Sequence, residues 1–240
     1  MVVTGFDDNS DNERDYSQVV DLHSPKQCSN LPPYPLKLRG ATGVILNGSP
    51  LICGGYGRAS GSNSSTSQSS CYMFDKILQK WKHYSNMNTV RNVAASALIG
   101  ETMWVTGGYQ AGIHLKTTEF IHPNGTVTSG PTLPDGRSTH CLVNLHDGRI
   151  MILGGHLLSY HKNVSIYDSK NNTFTPGPSL IYDRSHAGCT LFLSPLHNNR
   201  PVVLIAGGYD QSTAEVFDYT NGNTWEESKY IFEFMKYLSS

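Results

Sequence analysis

The sequence predicts an all-β protein made of several equivalent small sheets, and three observations lead to that class. A hydrophobic run ending in Gly-Gly occurs four times, as LICGGY, WVTGGY, MILGGH and LIAGGY. Other sequence features recur in the same phase, as described below. The 240 residues include 23 glycines and 13 tyrosines but only 15% charged residues, a composition that favours many short strands and turns over disorder.

The Gly-Gly pairs are evenly spaced. Their first glycines are Gly54, Gly107, Gly154 and Gly207, so the intervals are 53, 47 and 53 residues. An earlier run, VVTGF, places Gly5 49 residues before Gly54, and we interpret it as a degenerate first copy. A period of about 50 residues indicates an array in which each repeat forms one small sheet.

Further features follow each Gly-Gly pair in a fixed order. A polar loop leads to a strand that ends in an aromatic or apolar residue and Asp, in YSQVVDL, CYMFDK, VSIYDS and AEVFDY, whereas TTEFIHP has His122 in place of Asp. Trp81, Phe174 or Trp225 follows six or seven residues later. A Met/Leu-rich turn then ends in Arg, at Arg39, Arg91, Arg137 and Arg184, and a strand of small residues follows each Arg.

This ordered set of features resembles the kelch repeat, and the resemblance covers nearly the whole chain. It implies a kelch-type β-propeller, in which each repeat is a blade of four strands, A to D. One such sheet cannot bury both faces alone, so blades stack side by side. Gly-Gly then ends strand B, the Asp after strand C makes an Asx-type turn, and the strand D Trp fills the wedge between blades.

Five blades are predicted in chain order. They are a partial blade 1 (1–38) that lacks strand A, blade 2 (39–90), blade 3 (91–136), blade 4 (137–183) and blade 5 (184–229), followed by a tail or closing strand (230–240). The tail YIFEFMKYLSS either supplies the missing strand and closes a five-bladed ring, or the chain is a fragment of a six- or seven-bladed propeller. The tail lacks the Arg-small-small pattern, which favours the fragment.

Charge and hydropathy narrow the classes of partner. The net charge of −1 and pI near 6.8 give no electrostatic reason to expect nucleic acid. No run approaches the roughly 18 apolar residues of a membrane span. The start of the sequence has no basic segment before its first apolar run, so it does not match a signal peptide. Either the protein is cytoplasmic or the sequence lacks the start of a longer precursor.

Two of the five cysteines are candidates for a disulfide. Cys53 in strand B and Cys71 in strand C flank the longest B–C loop, and antiparallel neighbours can come within disulfide range. The pattern ICGG…SCY also resembles secreted invertebrate kelch-like proteins, which pair cysteines there. The alternative is two reduced thiols in a cytosolic protein. Cys28, Cys141 and Cys189 are predicted to be small core residues.

Sequons for N-glycosylation occur five times. The candidates are Asn63, Asn124, Asn163 and Asn171, whereas Pro50 follows the Asn47 sequon and disfavours it. All lie near predicted turns. Together with Cys53 and Cys71 they favour an extracellular location over a cytoplasmic one.

The resemblance also nominates a binding surface, since kelch proteins usually bind partners at the end that carries the B–C and D–A loops. The candidate residues there are Tyr56, Arg58, Arg91, Tyr109, Gln110, His114, Arg137, His156, Tyr160, Arg184, His186, Tyr209 and Asp210. Tyrosine and arginine are frequent in protein interfaces. The three repeated arginines have an alternative and favoured interpretation, as framework residues that bind loop carbonyls. The alternative for the aromatic residues that follow Gly-Gly is that they pack on the next blade. The non-repeating residues Arg58, Gln110, His114 and Tyr160 are better candidates for specific contacts.

No catalytic or metal-binding pattern stands out. Ten histidines are present, but none has the spacing of a zinc finger or an HExxH motif, and no cofactor is predicted. The favoured function is therefore a non-catalytic kelch propeller that binds a protein, or a glycan, through its loop-bearing end. The alternatives are the kelch part of an intracellular BTB-kelch-like adaptor for ubiquitin ligation or actin binding, and a kelch-type enzyme such as an oxidase or a sugar epimerase.

Overall fold

The computed structural model describes residues 2–3, 6–7, 12–13, 17–19, 29–59, 62, 64–222 and 224–228. Cys28, Asn63 and the predicted tail 230–240 lie outside these residues. The chain divides into two compact units, Met1–Gly136 and Arg137–Ser240, and each is described by itself.

The first five strands are short and form two antiparallel sheets. They are β1 (Val2–Val3), β2 (Phe6–Asp7), β3 (Asn12–Glu13), β4 (Ser17–Val19) and β5 (Ser29–Leu31). One sheet has the order β1-β4-β5, and β2 and β3 pair as a hairpin between β1 and β4. The three-stranded sheet matches the strands B, C and D expected of the first repeat.

The second repeat forms a four-stranded sheet and a smaller one. Its strands are β6 (Leu36–Arg39), β7 (Thr42–Leu46), β8 (Ser49–Cys53), β9 (Tyr56–Ala59), β10 (Thr66–Ser67), β11 (Ser70–Asp75) and β12 (Lys80–Asn86). The main sheet has the order β7-β8-β11-β12, and the smaller sheet has the order β6-β9-β10. The predicted turn that ends at Arg39 is wrong where β6 forms, and the longest B–C loop, predicted without strands of its own, contains β9 and β10.

The pairing of β6 with β9 has a local cause. Leu38 is fully buried between the more exposed Lys37 and Arg39, which is the alternation of a strand with one face on a core. Gly57 lies opposite Leu38, and a Cβ atom at Gly57 would lie 3.0 Å from the Leu38 Cα. The glycine therefore allows the two backbones to approach closely.

The remaining three repeats are antiparallel meanders of the same design. The third contains β13 (Ala95–Ile99), β14 (Thr102–Thr106), β15 (Tyr109–Gln110), β16 (Ile113–His114), β17 (Thr118–Ile121) and β18 (Val127–Ser129). The fourth contains β19 (Cys141–Asn144), β20 (Arg149–Leu153), β21 (Val164–Asp168) and β22 (Thr173–Pro176). The fifth contains β23 (Gly188–Ser194), a 3-10 turn (Pro195–His197), β24 (Arg200–Ala206), β25 (Ala214–Phe217) and β26 (Glu226–Glu227). Their four-stranded sheets have the orders β13-β14-β17-β18, β19-β20-β21-β22 and β23-β24-β25-β26, while β15 and β16 form a separate hairpin.

The second strand of each complete sheet supplies much of the core. β14 and β20 each have four consecutive buried residues, because a central strand is covered on both faces. In the first unit Leu51, Met103 and Val105 belong to one apolar cluster. In the second unit a separate cluster joins residues of the fourth and fifth sheets, including Met151 and Val203.

The repeated aromatic and acidic residues have the predicted roles. The Trp81 Nε1 donates to the Pro32 carbonyl over 3.0 Å, and the Trp225 Nε1 donates to the Pro178 carbonyl over 2.9 Å, so each Trp is tied to the preceding repeat. The Asp75 carboxylate accepts the Ile77 and Leu78 N–H groups at 2.9 Å each. Asp168 and Asp218 close equivalent turns.

The Gly-Gly pairs also connect neighbouring repeats within each unit. Gly54 and Gly55 have φ angles of 68° and 99°, which favour glycine. The Gly55 N–H donates to the Arg91 carbonyl over 2.9 Å, and the Gly155 N–H donates to the Arg184 carbonyl over 2.7 Å. The end of strand B is thereby bonded to the backbone that begins the next repeat.

Four cysteines are paired as two disulfides. Cys53 and Cys71 lie directly opposite each other on β8 and β11 with a Cα–Cα distance of 4.1 Å, which confirms the predicted pair. Cys141 and Cys189 form a second pair with a Cα–Cα distance of 6.1 Å. The prediction that both were small core residues is wrong, because β19 and β23, the first strands of consecutive repeats, lie beside each other.

Candidate functional site

The arginine that begins the fifth repeat is part of a buried network. Arg184 donates through Nε to the Glu215 carboxylate over 2.7 Å, and neither side chain is exposed. Its Nη1 donates to the carbonyls of Gly207 and Thr213 at 2.7 and 2.9 Å. Glu215 also accepts the Ile181 N–H over 2.6 Å. The network fixes the loop before the repeat against both ends of the β24–β25 loop.

The third repeat contains the same network. Arg91 donates through Nη2 to Glu119 over 2.7 Å and through Nη1 to the carbonyls of Gly107 and Thr117 at 2.6 and 3.0 Å. Glu119 also accepts the N–H groups of Asn88 and Thr89. Burial lowers the pKa of Arg91, and the carboxylate beside it opposes that shift. The geometry is the one expected of framework residues.

The fourth repeat departs from this pattern. Arg137 is buried, and its Nη1 donates to the Gly154 carbonyl over 3.3 Å. The residue in register with Glu119 and Glu215 is Ser165. Because Arg137, like Arg91 and Arg184, is at most 1% exposed, we leave all three out of the candidate surface.

In the first unit, the candidate loop residues lie on the small sheet β6-β9-β10 and on the hairpin of β15 and β16. Tyr56 and Arg58 are half-buried on β9, where the Arg39 guanidinium lies 5.3 Å from the centre of the Tyr56 ring. Tyr109 and His114 pair across β15 and β16, and their ring centres are 5.1 Å apart. Gln110 is the neighbouring residue on β15 and is half-buried. These contacts hold the side chains against their own sheet or hairpin.

In the second unit, three candidate residues form a row of rings at the loop-bearing end. The centres of His156 and Tyr160 are 5.1 Å apart, and those of Tyr160 and Tyr209 are 5.3 Å apart. Tyr160 belongs to the β20–β21 loop and Tyr209 to the β24–β25 loop, so the row joins two repeats. Tyr160 is 38% exposed and Tyr209 is 61% exposed. We call His156, Tyr160 and Tyr209 the ring row.

Two further candidates flank the ring row. Asp210 follows Tyr209, is exposed, and has a φ of 58°. His186 is exposed on the loop before β23, and partial burial together with His156 lowers its pKa. The Tyr209 N–H donates to the Ser185 carbonyl over 2.8 Å, so the loop before β23 lies directly against the β24–β25 loop.

The loop before β23 and the end of β26 add residues that the sequence did not single out. Tyr182 donates its hydroxyl hydrogen to the Glu227 carboxylate over 3.1 Å, and this hydrogen bond and the negative charge raise the pKa of Tyr182. Asp183 is exposed beside it. Their residue types do not recur at the matching positions of the other repeats, so the alignment of repeats carried no signal for them.

Below the loops, the fourth repeat holds a buried histidine. His140 is 7% exposed, and desolvation lowers the pKa of His140 well below its usual value. The charge of Arg137 and the nearby His161 act in the same direction. His140 is therefore neutral at physiological pH.

The predicted glycosylation sites that the structure describes are exposed, at turns or, for Asn163, directly before β21. Asn124, Asn163 and Asn171 are all exposed. Asn124 accepts the Thr126 N–H over 3.0 Å, whereas the Asn171 side-chain nitrogen donates to Asp168 over 2.7 Å. Glycan attachment stays a prediction.

Two searches of the described residues for other kinds of site gave no candidate. Among them, no group of three or more His, Cys, Asp or Glu side chains is arranged to hold a metal ion. In the same part of the chain, no helix has the length and hydropathy needed to cross a membrane.

Comparisons with known proteins agree with the repeat pattern. The family model described as "Kelch motif" matches residues 137–181. The chain is 25% identical over 167 residues to "Spermatocyte protein spe-26" of Caenorhabditis elegans, covering 68% of this chain and 29% of that relative. The chain therefore spans less than a third of that relative's length.

A solved structure shares the fold. The chain resembles "Structure of YjhT" with a TM-score of 0.66 and 14% identity, over 85% of this chain and 71% of that one. At this identity the likeness concerns the fold alone. The chain therefore contains a kelch motif at residues 137–181 and has the kelch-type β-propeller fold.

Proposed function

We propose that the chain is a non-catalytic protein-interaction module that binds its partner through the end carrying the B–C and D–A loops. Kelch domains usually bind proteins, and a kelch motif is present at residues 137–181. The observation that carries the proposal is the ring row, in which Tyr160 and Tyr209 stand side by side and exposed.

The rings meet two requirements of an interface. Tyrosine offers a large contact area and a polar hydroxyl at a low cost in conformational entropy. Tyr209 also stands on a loop that the Arg184–Glu215 network fixes at both ends. A loop held in one conformation loses little entropy when a partner binds, which raises affinity.

We also propose an oxidising compartment, such as the extracellular space. The two disulfides support it because cytosolic proteins rarely keep such bonds. The exposed sequons at Asn124 and Asn163 are compatible with that location.

The binding face can be tested by affinity capture with the immobilised full chain. A Tyr160→Ala/Tyr209→Ala variant removes the exposed rings. The matched control is Leu193→Ala/Leu196→Ala, because these leucines are 65% and 70% exposed beside the β23–β24 turn, at the opposite end of the fifth sheet. Circular dichroism confirms that both variants remain folded.

We expect a set of captured proteins whose recovery falls with the tyrosine variant and stays unchanged with the leucine variant. Equal recovery by all three proteins, or a loss only with the leucine variant, would contradict the proposed face.

A further inference from the structure

We infer that the partner presents a basic, arginine-bearing segment to the loops around the ring row. This inference rests on the proposed function and adds the chemistry of the partner. It uses six residues of the second unit: Tyr160, Tyr182, Asp183, Tyr209, Asp210 and Glu227.

The rings provide the main contact. Tyr160 and Tyr209 belong to different loops, yet their ring centres are 5.3 Å apart and their planes are inclined by 41°. The face of a tyrosine ring attracts a cation, and guanidinium groups also stack on it. Two adjacent, exposed and inclined rings therefore offer a place for one guanidinium.

The same chemistry already occurs between Tyr182 and a buried arginine. The Arg184 guanidinium lies 5.7 Å from the centre of the Tyr182 ring while it pairs with Glu215. One arginine thus contacts a tyrosine and a carboxylate together. Tyr160 and Tyr209, with Asp210 next in sequence, provide these two groups on the exposed side.

The charges around the rings determine the sign of the charge that the partner must carry. Asp183 and Asp210 are exposed on two loops that are hydrogen-bonded to each other through Tyr209 and Ser185. Glu227 lies at the end of β26 and accepts from Tyr182. Arg184 is buried and its charge is already paired.

Few positively charged side chains lie in the same loops as these carboxylates. The loop segments 156–162, 181–186 and 207–213 contain Lys162 as their one exposed lysine or arginine. The surface is therefore acidic and aromatic, although the whole chain carries a net charge of only −1. Such a surface attracts basic segments and repels acidic ones, which raises the association rate and gives specificity.

The inference can be tested by fluorescence anisotropy with the full chain and three labelled peptides. The peptides alternate glycine with arginine, lysine or glutamate. We expect the arginine peptide to bind more tightly than the lysine peptide, because guanidinium stacks on the rings, and the glutamate peptide not to bind. Higher salt should weaken the binding.

Two variants locate the contact. Tyr209→Ala should raise the Kd of the arginine peptide about two- to fivefold, the size of an exposed cation–π contact. Asp183→Asn/Asp210→Asn should raise it at least about twofold, as expected for exposed ion pairs. Glu101→Gln, which removes an exposed carboxylate from the β13–β14 turn of the first unit, should leave it unchanged.

The outcomes separate this inference from the proposed function. If the arginine peptide does not bind, binds no better than the glutamate peptide, or is indifferent to Asp183→Asn/Asp210→Asn, the basic partner is ruled out. The proposed function would still stand if capture depends on the tyrosines. If capture does not depend on the tyrosines, the proposed function fails, whatever the peptides show.

Discussion

Arg184 and Glu215 form an ion pair in which Nε and Oε1 are 2.7 Å apart and neither side chain reaches solvent. Two repeats earlier, Arg91 and Glu119 form the same pair with the same separation. Each pair connects the segment that begins a repeat to the third strand of that repeat, and the same arginine also donates to carbonyls of the loop between the second and third strands. The loop-bearing end of these repeats is therefore fixed by buried charges rather than by apolar packing alone.

The first prediction concerns the loss of one partner. Glu215→Ala leaves the Arg184 charge buried without its carboxylate and removes the acceptor of the Ile181 N–H. Breaking a buried ion pair in this way costs about 3–5 kcal/mol. Urea denaturation should show that loss in the free energy of unfolding.

A control variant distinguishes the loss of a buried, paired carboxylate from the loss of a negative charge in general. Glu101→Gln removes an exposed carboxylate and should change the free energy of unfolding by no more than about 0.5 kcal/mol. If Glu215→Ala were as mild as Glu101→Gln, the network could not be what fixes the loop.

The second prediction concerns the first glycine of a Gly-Gly pair. Gly54 has a φ of 68°, and a Cβ atom there would lie 2.6 Å from the Arg91 carbonyl oxygen. Gly100 has a φ of 59° and open space around its Cβ position. Gly100→Ala should therefore cost only the left-handed backbone penalty of about 1–2 kcal/mol.

Gly54→Ala should cost about 1–3 kcal/mol more, because the clash with the Arg91 carbonyl is added to that penalty. Thermal or urea unfolding of both variants measures the difference. Equal losses in the free energy of unfolding would show that the close approach between strand B and the next repeat does not affect stability.

The sequence predicted those features that recur in each repeat. Gly54, Asp75 and Trp81 were assigned to a strand end, a turn and an inter-repeat contact because equivalent residues return in phase. The structure places each of them in that role. Each of these three residues reports on what every sheet needs, so its role is structural.

The residues that were missed do not repeat in this way. Cys141 and Cys189 occur once each, in strands 48 residues apart, and their pairing depends on how two sheets pack. Glu119 and Glu215 recur in only two repeats, with Ser165 between them. Tyr182 and Asp183 lie in a loop that recurs before each Arg, but their residue types do not recur there. Specific binding residues are expected among such positions, which is why the candidate site needed the structure.

The third prediction concerns the disulfides. Unreduced, denatured protein should contain one reactive thiol, because four of the five cysteines are paired. Cys141→Ser/Cys189→Ser should lower the free energy of unfolding by about 2–4 kcal/mol, since the bond closes a long loop. Thiol titration of the unreduced protein and denaturant unfolding measure these quantities. Five reactive thiols would contradict both bonds and the proposed oxidising compartment.

The last prediction is a pH dependence that comes from His140. Burial, and then the charge of Arg137 and the neighbouring His161, depress the pKa of His140 well below its usual value near 6.5. Above that value the histidine is neutral in both states and stability does not depend on it. As the pH falls below 6.5, the unfolded chain binds a proton that the native protein does not, so the folded state loses stability.

The loss should approach about 1.4 kcal/mol per pH unit until the folded pKa is reached. Urea unfolding at several pH values between 7.5 and 5 should show it in the natural protein, and His140→Gln should reduce the slope. His146→Gln, at an exposed turn, is the matched control and should retain the slope. An unchanged slope in His140→Gln would contradict this prediction. It would mean that His140 binds its proton as readily in the folded state as in the unfolded state, despite its burial beside Arg137.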